Sequence, residues 1–157
     1  MKHLYPVRRL AWLGLILPLM FGAVLHAEDQ SEIDQIINVL LSYESHVNES
    51  NAEGLGALHT DDAILFPDRF DVFEGQQDIT GFYAFAFSAL TINLEFAIDP
   101  DNIVISDTTA YATTTSTGTR FIKDANQTVP EINRELWVFE RIDGDWKIAR
   151  YAFNKSQ

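Results

Sequence analysis

Three side chains in this 157-residue chain could take part in proton transfer: Tyr43, His59 and Asp68. Tyr43 could donate a hydrogen bond to a ligand, or it could be a core tyrosine that needs a single hydrogen-bond partner. His59 precedes Asp61 and Asp62, so it could act as a general acid or base held by a carboxylate. Equally, it could be a histidine favoured by the C-terminus of a helix. Asp68 lies on a polar loop, where it is either a solvated charge or part of a site.

The stretch "NRELWVFERIDGDWKIARYAFN", residues 133–154, predicts a β-hairpin with ionisable groups inside its strands. A two-residue turn at Asp143-Gly144 pairs Trp137 with Arg150, which allows a cation–π contact of about 0.5–2 kcal/mol. A three-residue loop with a bulge at Gly144 instead places Arg150 beside Arg134, on the face that we expect to line a pocket. The sequence leaves both registers open, so each arginine faces either a partner subunit or a ligand. We predict Arg134, Trp137 and Arg150 as ligand-binding residues.

Aromatic residues are concentrated between residues 66 and 87. Those on the segment "GFYAFAF" could be core residues or could line a ligand site. We predict that Phe66 and Phe85 contact a ligand. The number of aromatic side chains implies that this ligand is at least partly aromatic or apolar.

The residue types that hold metals and cofactors are sparse in this chain. There is no cysteine, and His46 and His59 do not belong to a His-x-x-His or His-Glu-x-x-His pattern. The chain has no glycine-rich phosphate loop and no serine nucleophile elbow. We therefore predict neither a metal nor another cofactor. The formal net charge of −12, without a basic patch, also argues against nucleic acid as a partner.

The first 27 residues have the order of a secretory signal peptide. Lys2, Arg8 and Arg9 form a basic start, and an apolar run over residues 10–25 precedes Ala27 and an acidic segment. The run is short for a membrane span, which needs roughly 20 apolar residues, although an uncleaved anchor is the alternative. We predict cleavage after Ala27 or Ala23. The domain would then comprise residues 28–157, be periplasmic or secreted, and have no membrane contact.

The elements that must position these residues follow from the periodicity of apolar side chains. Helical spacing over residues 31–50 predicts a first helix with Ser31 as its N-cap. A short second helix ends near His59, a short strand covers residues 63–66, and a third helix covers residues 75–90.

From residue 91 onward the period changes to two, which predicts strands. A β-rich segment over residues 103–123 splits at Asp107-Thr108, residues 124–133 form a loop, and the hairpin closes the chain. Helices followed by long strands predict an α+β fold, with the helices on one face of a curved sheet.

This order of elements, with "GLGALHTDDAILFPD" and "ELWVFERIDGDWKIARYAFN" at its two ends, resembles the SnoaL-like and ketosteroid-isomerase-like proteins of the nuclear transport factor 2 superfamily. The resemblance covers about residues 31–155. It implies a cone-shaped, curved antiparallel sheet that encloses one pocket together with three N-terminal helices. It also implies a homodimer formed through the outer face of the sheet.

The isomerases of this group use a carboxylate base, a tyrosine donor and a protonated aspartate. Aligned on "ALHTDDA", the tyrosine position falls on Tyr43, and the base position falls on Pro67, next to Asp68. The second acid position falls on Leu136, so one position is kept, one is shifted and one is replaced. The resemblance therefore implies a domain that binds a small, largely apolar ligand. The alternative is a cofactor-independent isomerase, cyclase or hydratase that transfers protons in the same pocket.

Overall fold

The structure is a computed structural model that describes residues 20–156, with side chains from residue 30 onward. It contains three α-helices within that range: α1 (Met20–Asn48), α2 (Ala52–Ala57) and α3 (Gln76–Ala89). A short 3₁₀ turn covers Pro100–Asn102. The strands of the described chain are β1 (His59–Phe66), β2 (Phe73–Glu74), β3 (Leu90–Ala97), β4 (Ile103–Ser106), β5 (Thr109–Ile122), β6 (Gln127–Ile142) and β7 (Asp145–Lys155).

The strands form one sheet in the order β2-β1-β7-β6-β5-β3, and β4 pairs with another part of β5. The α+β fold with three helices and a curved sheet is therefore confirmed. The prediction of an antiparallel sheet is wrong at one place, because β1 runs parallel to β7. The strands of this pair lie at opposite ends of the domain sequence, so no hairpin constrains them to run antiparallel.

Helix α1 buries one apolar face against the sheet through Ile36, Leu40, Tyr43 and Val47. Their spacing of three or four residues is the one that predicted the helix. The helix begins at Met20 rather than Ser31, so Ser31 is not its N-cap. The helix also continues past Ala23 and Ala27, the two candidate cleavage sites.

The predicted signal peptide lies mostly outside the described residues and stays a prediction. Within residues 20–156, no helix combines the length and apolarity needed to cross a membrane.

The region around His59 differs from the sequence prediction. Helix α2 ends at Ala57, and His59 is the first residue of β1. The strand begins four residues earlier than predicted because His59 pairs with Ile148 of β7, far away in the sequence. The predicted third helix is confirmed within one residue at each end, with Gly75 at its N-cap position.

The C-terminal hairpin has a two-residue turn, with positive φ angles of 53° at Asp143 and 96° at Gly144. Glu140 pairs with Lys147, as this turn predicts. The register then shifts, and Arg150 pairs with Val138 instead of Trp137. Neither predicted register is right along its whole length, because the extra residue lies within β7 rather than in the turn. Residues 127–133, predicted as loop, form the start of β6.

Alternation along β6 decides which side chains face the helices. Trp137 and Phe139 are completely buried on the inner face, and Glu131, Asn133 and Glu135 precede them on the same face. Because the two large aromatic groups must be buried, the even-numbered residues of this strand point to the outer face. The inner face of β6 is therefore apolar toward the turn and polar toward the start of the strand.

Candidate functional site

A cavity of about 520 Å³ lies between helices α1 and α3 and the inner face of the sheet. Its apolar wall is formed by Val47, Phe70, Phe82, Phe85, Ala86, Phe87, Ala89, Leu90, Ile92, Leu94 and Phe153. Its polar lining is formed by Tyr43, Asp68, Arg69, Tyr83, Arg120, Glu131, Asn133, Tyr151 and Lys155. A largely apolar cavity with a few convergent polar groups is the usual form of a small-molecule site.

Three tyrosines form the first polar cluster of the cavity. The hydroxyl groups of Tyr43 and Tyr83 share a hydrogen bond, and the ring of Tyr151 packs edge-to-face against that of Tyr43. Burial raises the pKa of Tyr43, Tyr83 and Tyr151 well above the ordinary tyrosine value. All three hydroxyls therefore stay protonated at neutral pH and can donate hydrogen bonds.

The ring of Tyr43 is held in place by other aromatic rings. The centroid of the Trp137 ring lies 4.9 Å away and that of Tyr151 lies 5.3 Å away, both in edge-to-face geometry. Trp137 and Tyr151 in turn stack with their centroids 3.6 Å apart. Such contacts contribute about 0.5–1.5 kcal/mol per pair beyond burial, so the tyrosine hydroxyl has a fixed position in the cavity wall.

Glu131 is the centre of the second polar cluster. Its carboxylate lies 3.3 Å from Arg120 Nη1 and 3.2 Å from Lys155 Nζ. Burial raises the pKa of Glu131, the positive charge of Arg120 lowers it, and the negative charge of Asp68 raises it further. Two carboxyl groups and two cations thus share this part of the cavity.

Asp68 lies on the loop between β1 and β2 and has a mostly buried side chain. Its Oδ2 atom is 3.4 Å from Arg69 Nε, but it accepts no hydrogen bond from the described residues. Arg69 has a left-handed backbone conformation and an exposed side chain, and both Asp68 and Arg69 line the cavity.

A buried hydrogen-bond network lies behind the polar wall, centred on Glu135. Thr114 Oγ1 and Ser116 Oγ donate to its carboxylate over 2.8 and 2.6 Å. Trp137 Nε1 donates to Thr114, and Asn133 Nδ2 donates to Ser116. Burial raises the pKa of Glu135, and the hydrogen bonds from Ser116 and Thr114 oppose this shift.

Sequence reasoning missed Glu131, Asn133 and Glu135 as cavity or second-layer residues. A signal was present, because residues 131, 133, 135, 137 and 139 share one face of β6 by alternation. Glu131 and Asn133 were missed because residues 124–133 were assigned to a loop.

Of the predicted catalytic residues, Tyr43 and Asp68 line the same cavity, whereas His59 does not. His59 is completely buried, with its ring centroid 6.5 Å from that of Tyr43. Its Nδ1 donates to the backbone oxygen of Leu55, and its Nε2 has no partner in the described chain. Burial lowers the pKa of His59 to about 4, with the Leu55 hydrogen bond opposing the shift, so the ring is neutral at pH 7.

The predicted ligand-binding residues are divided between the two faces of the sheet. Phe85 lines the cavity, and Trp137 lies behind the stacked Tyr151. Arg134 and Arg150 lie on the outer face, contrary to the expectation that the face of Arg134 lines the pocket. Arg150 Nη1 instead donates to the backbone oxygen of Ala149 over 2.7 Å. Phe66 is partly exposed at the end of β1, outside the cavity.

Metal ligands are not grouped in this site. Across the described part of the chain, no three His, Asp or Glu side chains lie close enough together to hold a metal ion. The arrangement instead offers protonated hydroxyls, an amide, two carboxyls and three cations around an apolar void.

Comparison with known proteins supports the resemblance seen in the sequence. The family model of the SnoaL-like domain matches residues 28–152. No curated protein matches the chain.

Several solved structures share the fold. A ketosteroid isomerase-like protein from Erwinia carotovora atroseptica is 22% identical, with a TM-score of 0.76 over 80% of this chain and 97% of that chain. A conserved protein from Planctomyces limnophilus is 18% identical, with a TM-score of 0.72 over 81% and 99% of the two chains. A nuclear-transport-factor-2-like protein with a cystatin-like fold from Novosphingobium aromaticivorans is 18% identical, with a TM-score of 0.65 over 89% and 90%. At these identities the similarity shows the fold alone.

Proposed function

Because the chain belongs to the SnoaL-like domain family, we propose that it binds a small, largely apolar organic molecule in the cavity between α1, α3 and the sheet. The cavity carries this proposal. Its volume of about 520 Å³ falls within the roughly 300–1,000 Å³ of typical ligand sites. Its wall is mainly phenylalanine and aliphatic side chains, which favour a partly aromatic ligand.

Two phenylalanines that line the cavity are also strongly exposed. Phe70 has 59% and Phe85 has 67% of its surface open to solvent. A ligand that covers part of this apolar surface gains about 25 cal/mol for each Å² removed from water. The exposed rings therefore favour a ligand that extends from the interior to the cavity mouth.

A pair of substitutions on α3 tests this proposal. Ala86 lines the cavity, whereas Ala84 is exposed on the same helix and does not line it. We expect Ala86→Trp to abolish the binding of two-ring apolar compounds in calorimetric titrations and Ala84→Trp to leave it unchanged. Equal affinities in both variants, or no binding by the wild-type protein, would overturn the proposal.

The second candidate is a cofactor-independent enzyme that catalyses isomerisation, cyclisation or hydration by proton transfer. It is favoured by one observation: Tyr43, Asp68 and Glu131 line the same cavity. A protonated tyrosine can stabilise a developing oxyanion while a carboxylate accepts a proton. An activity found by substrate screening should fall about 100-fold or more in Asp68→Asn and in Tyr43→Phe. Unchanged rates in both variants would exclude this candidate.

We further propose that the domain forms a homodimer through the outer face of its sheet. Val104, Tyr111, Ile132 and Leu136 are exposed apolar residues of β4, β5 and β6. Tyr111 pairs with Val104 on one side and with Val138 on the other, which makes the apolar surface continuous across three strands. Such patches on a sheet favour protein contacts.

A further inference from the structure

We propose that the ligand is neutral and carries a hydroxyl group whose hydrogen is donated to Asn133 Oδ1, at the polar end of the cavity. The inference rests on the proposed binding function and specifies the chemical class of the ligand. It follows from the directions of the hydrogen bonds behind the cavity wall.

The direction of each hydrogen bond in the Glu135 network is determined by its members. The indole Nε1 of Trp137 can only donate, so Thr114 Oγ1 accepts from it over 2.9 Å. Thr114 and Ser116 each use their single hydroxyl hydrogen to donate to the Glu135 carboxylate. Ser116 Oγ therefore has no hydrogen left for Asn133 and accepts from Asn133 Nδ2 over 3.2 Å.

These hydrogen bonds together determine the orientation of the Asn133 amide. Its nitrogen faces Ser116, and its Oδ1 has no hydrogen-bond partner among the described residues. Only 5% of the surface of Asn133 is exposed, and the residue lines the cavity. A buried carbonyl oxygen without a donor destabilises the protein, so a ligand that supplies a donor gains affinity there.

The charges around Asn133 indicate that this donor is neutral. Lys155 is the strand partner of Asn133, and both Lys155 and Arg120 pair with Glu131. The charge of Glu131 is therefore already compensated, and an ammonium ligand would meet two further cations. A carboxylate ligand could approach Arg120, whose Nε has no partner among the described residues, but it would have no hydrogen to share with Asn133 Oδ1. A hydroxyl group meets neither obstacle, since it donates one hydrogen and can accept another.

Five naphthalene compounds of similar size test the inference by calorimetric titration at pH 7. They are 2-naphthol, 2-methoxynaphthalene, naphthalene, 2-naphthoate and the cationic 2-(aminomethyl)naphthalene. We expect 2-naphthol to bind the wild-type protein about tenfold more tightly than the methoxy compound or naphthalene. The two charged compounds should bind more weakly still. Equal affinities of the naphthol and its methoxy ether, or tightest binding of a charged compound, would overturn the inference but leave the proposed function intact. No binding of any compound would overturn the proposed function itself.

Variants assign the preference to the Asn133 amide. Asn133→Leu should lower the affinity for 2-naphthol to that for 2-methoxynaphthalene while leaving naphthalene binding nearly unchanged. Asn154→Leu, the same exchange at an exposed position of β7, should keep the preference. Ser116→Ala removes the atom that holds Asn133 Nδ2, so the amide can rotate and the preference for the hydroxyl should shrink. A full preference in Asn133→Leu would refute the role of Asn133, and a full preference in Ser116→Ala would refute the orientation of its amide by Ser116.

Discussion

The indole of Trp137 and the phenol of Tyr151 stack with their planes only 6° apart, on neighbouring strands β6 and β7. Tyr151 faces the cavity from this stack, and Trp137 connects it to the buried Glu135 network through Thr114. This aromatic pair thus connects the tyrosine cluster of the cavity to the buried hydrogen-bond network of Glu135.

We expect Trp137→Phe to lower the free energy of unfolding by about 2 kcal/mol. The variant loses the hydrogen bond from Nε1 to Thr114 and leaves a small void beside Tyr151. Urea denaturation measures the change. Tyr111→Phe, an aromatic exchange on the outer face with 49% exposure at that position, should change the same quantity by no more than about 0.5 kcal/mol. Similar losses in both variants would contradict a special role of the stack.

The tyrosine cluster should make the protein sensitive to alkali. The folded-state pKa values of Tyr43, Tyr83 and Tyr151 are raised, so their contribution to stability is complete below the ordinary tyrosine pKa and declines as the pH rises above it. Ultraviolet titration should show these three phenols ionising only together with unfolding. Ionisation of all tyrosines near pH 10 in the folded protein, as in free tyrosine, would disprove the prediction.

His59 should make the protein sensitive to acid in a defined range. Its pKa is about 6.5 when unfolded and about 4 when folded, so the unfolded state binds more protons between these values. Stability should therefore fall by up to about 3 kcal/mol as the pH decreases from 6.5 to 4. Below that range His59 contributes no further loss.

The variant His59→Asn isolates this effect. An asparagine amide can still donate to the Leu55 carbonyl but does not titrate in this range. Glu131 and Glu135 have raised pKa values and contribute with the opposite sign, since they stabilise the folded state as the pH falls. They are present in both proteins, so the difference between the two pH profiles reports His59. Parallel pH profiles of stability for the wild-type protein and His59→Asn would show that His59 does not cause the loss of stability in acid.

Leu136→Glu should convert the proposed homodimer into a monomer. The side chain is 48% exposed on the outer face of the sheet, within the apolar surface shared by β4, β5 and β6. Two carboxylates brought together across a twofold interface would repel one another and lose hydration. Analytical ultracentrifugation measures the mass. Glu74→Gln, an exposed position on the edge strand β2, serves as control. A wild-type protein that is monomeric in ultracentrifugation would contradict the proposed homodimer.

Much of the fold could be predicted because local patterns determine it. Four apolar residues at helical spacing indicate α1, and Asp143-Gly144 indicates the two-residue turn. The parallel pairing of His59 with Ile148 could not be predicted, since it joins residues 89 positions apart that carry no shared signal.

The candidate site was predictable only in part, for a related reason. Tyr43 and Asp68 were identified from their residue types, and both line the cavity. The partners of Arg150 could not be predicted, because they depend on an extra residue within β7 and no turn motif in the sequence indicates this residue. Asn133 was missed because its importance comes from a partner, Ser116, which is 17 residues away in the sequence.

The position of β7 in the sheet has a consequence for the order of folding. Strand β7 follows the other strands in the described sequence, yet it lies between β1 and β6 in the sheet. Until it is synthesised, β1 has only the two-residue β2 as a neighbour, and the two parts of the sheet have no common strand. The two parts of the sheet can therefore join only when β7 has inserted between β1 and β6, which makes this joining a late, long-range step in folding.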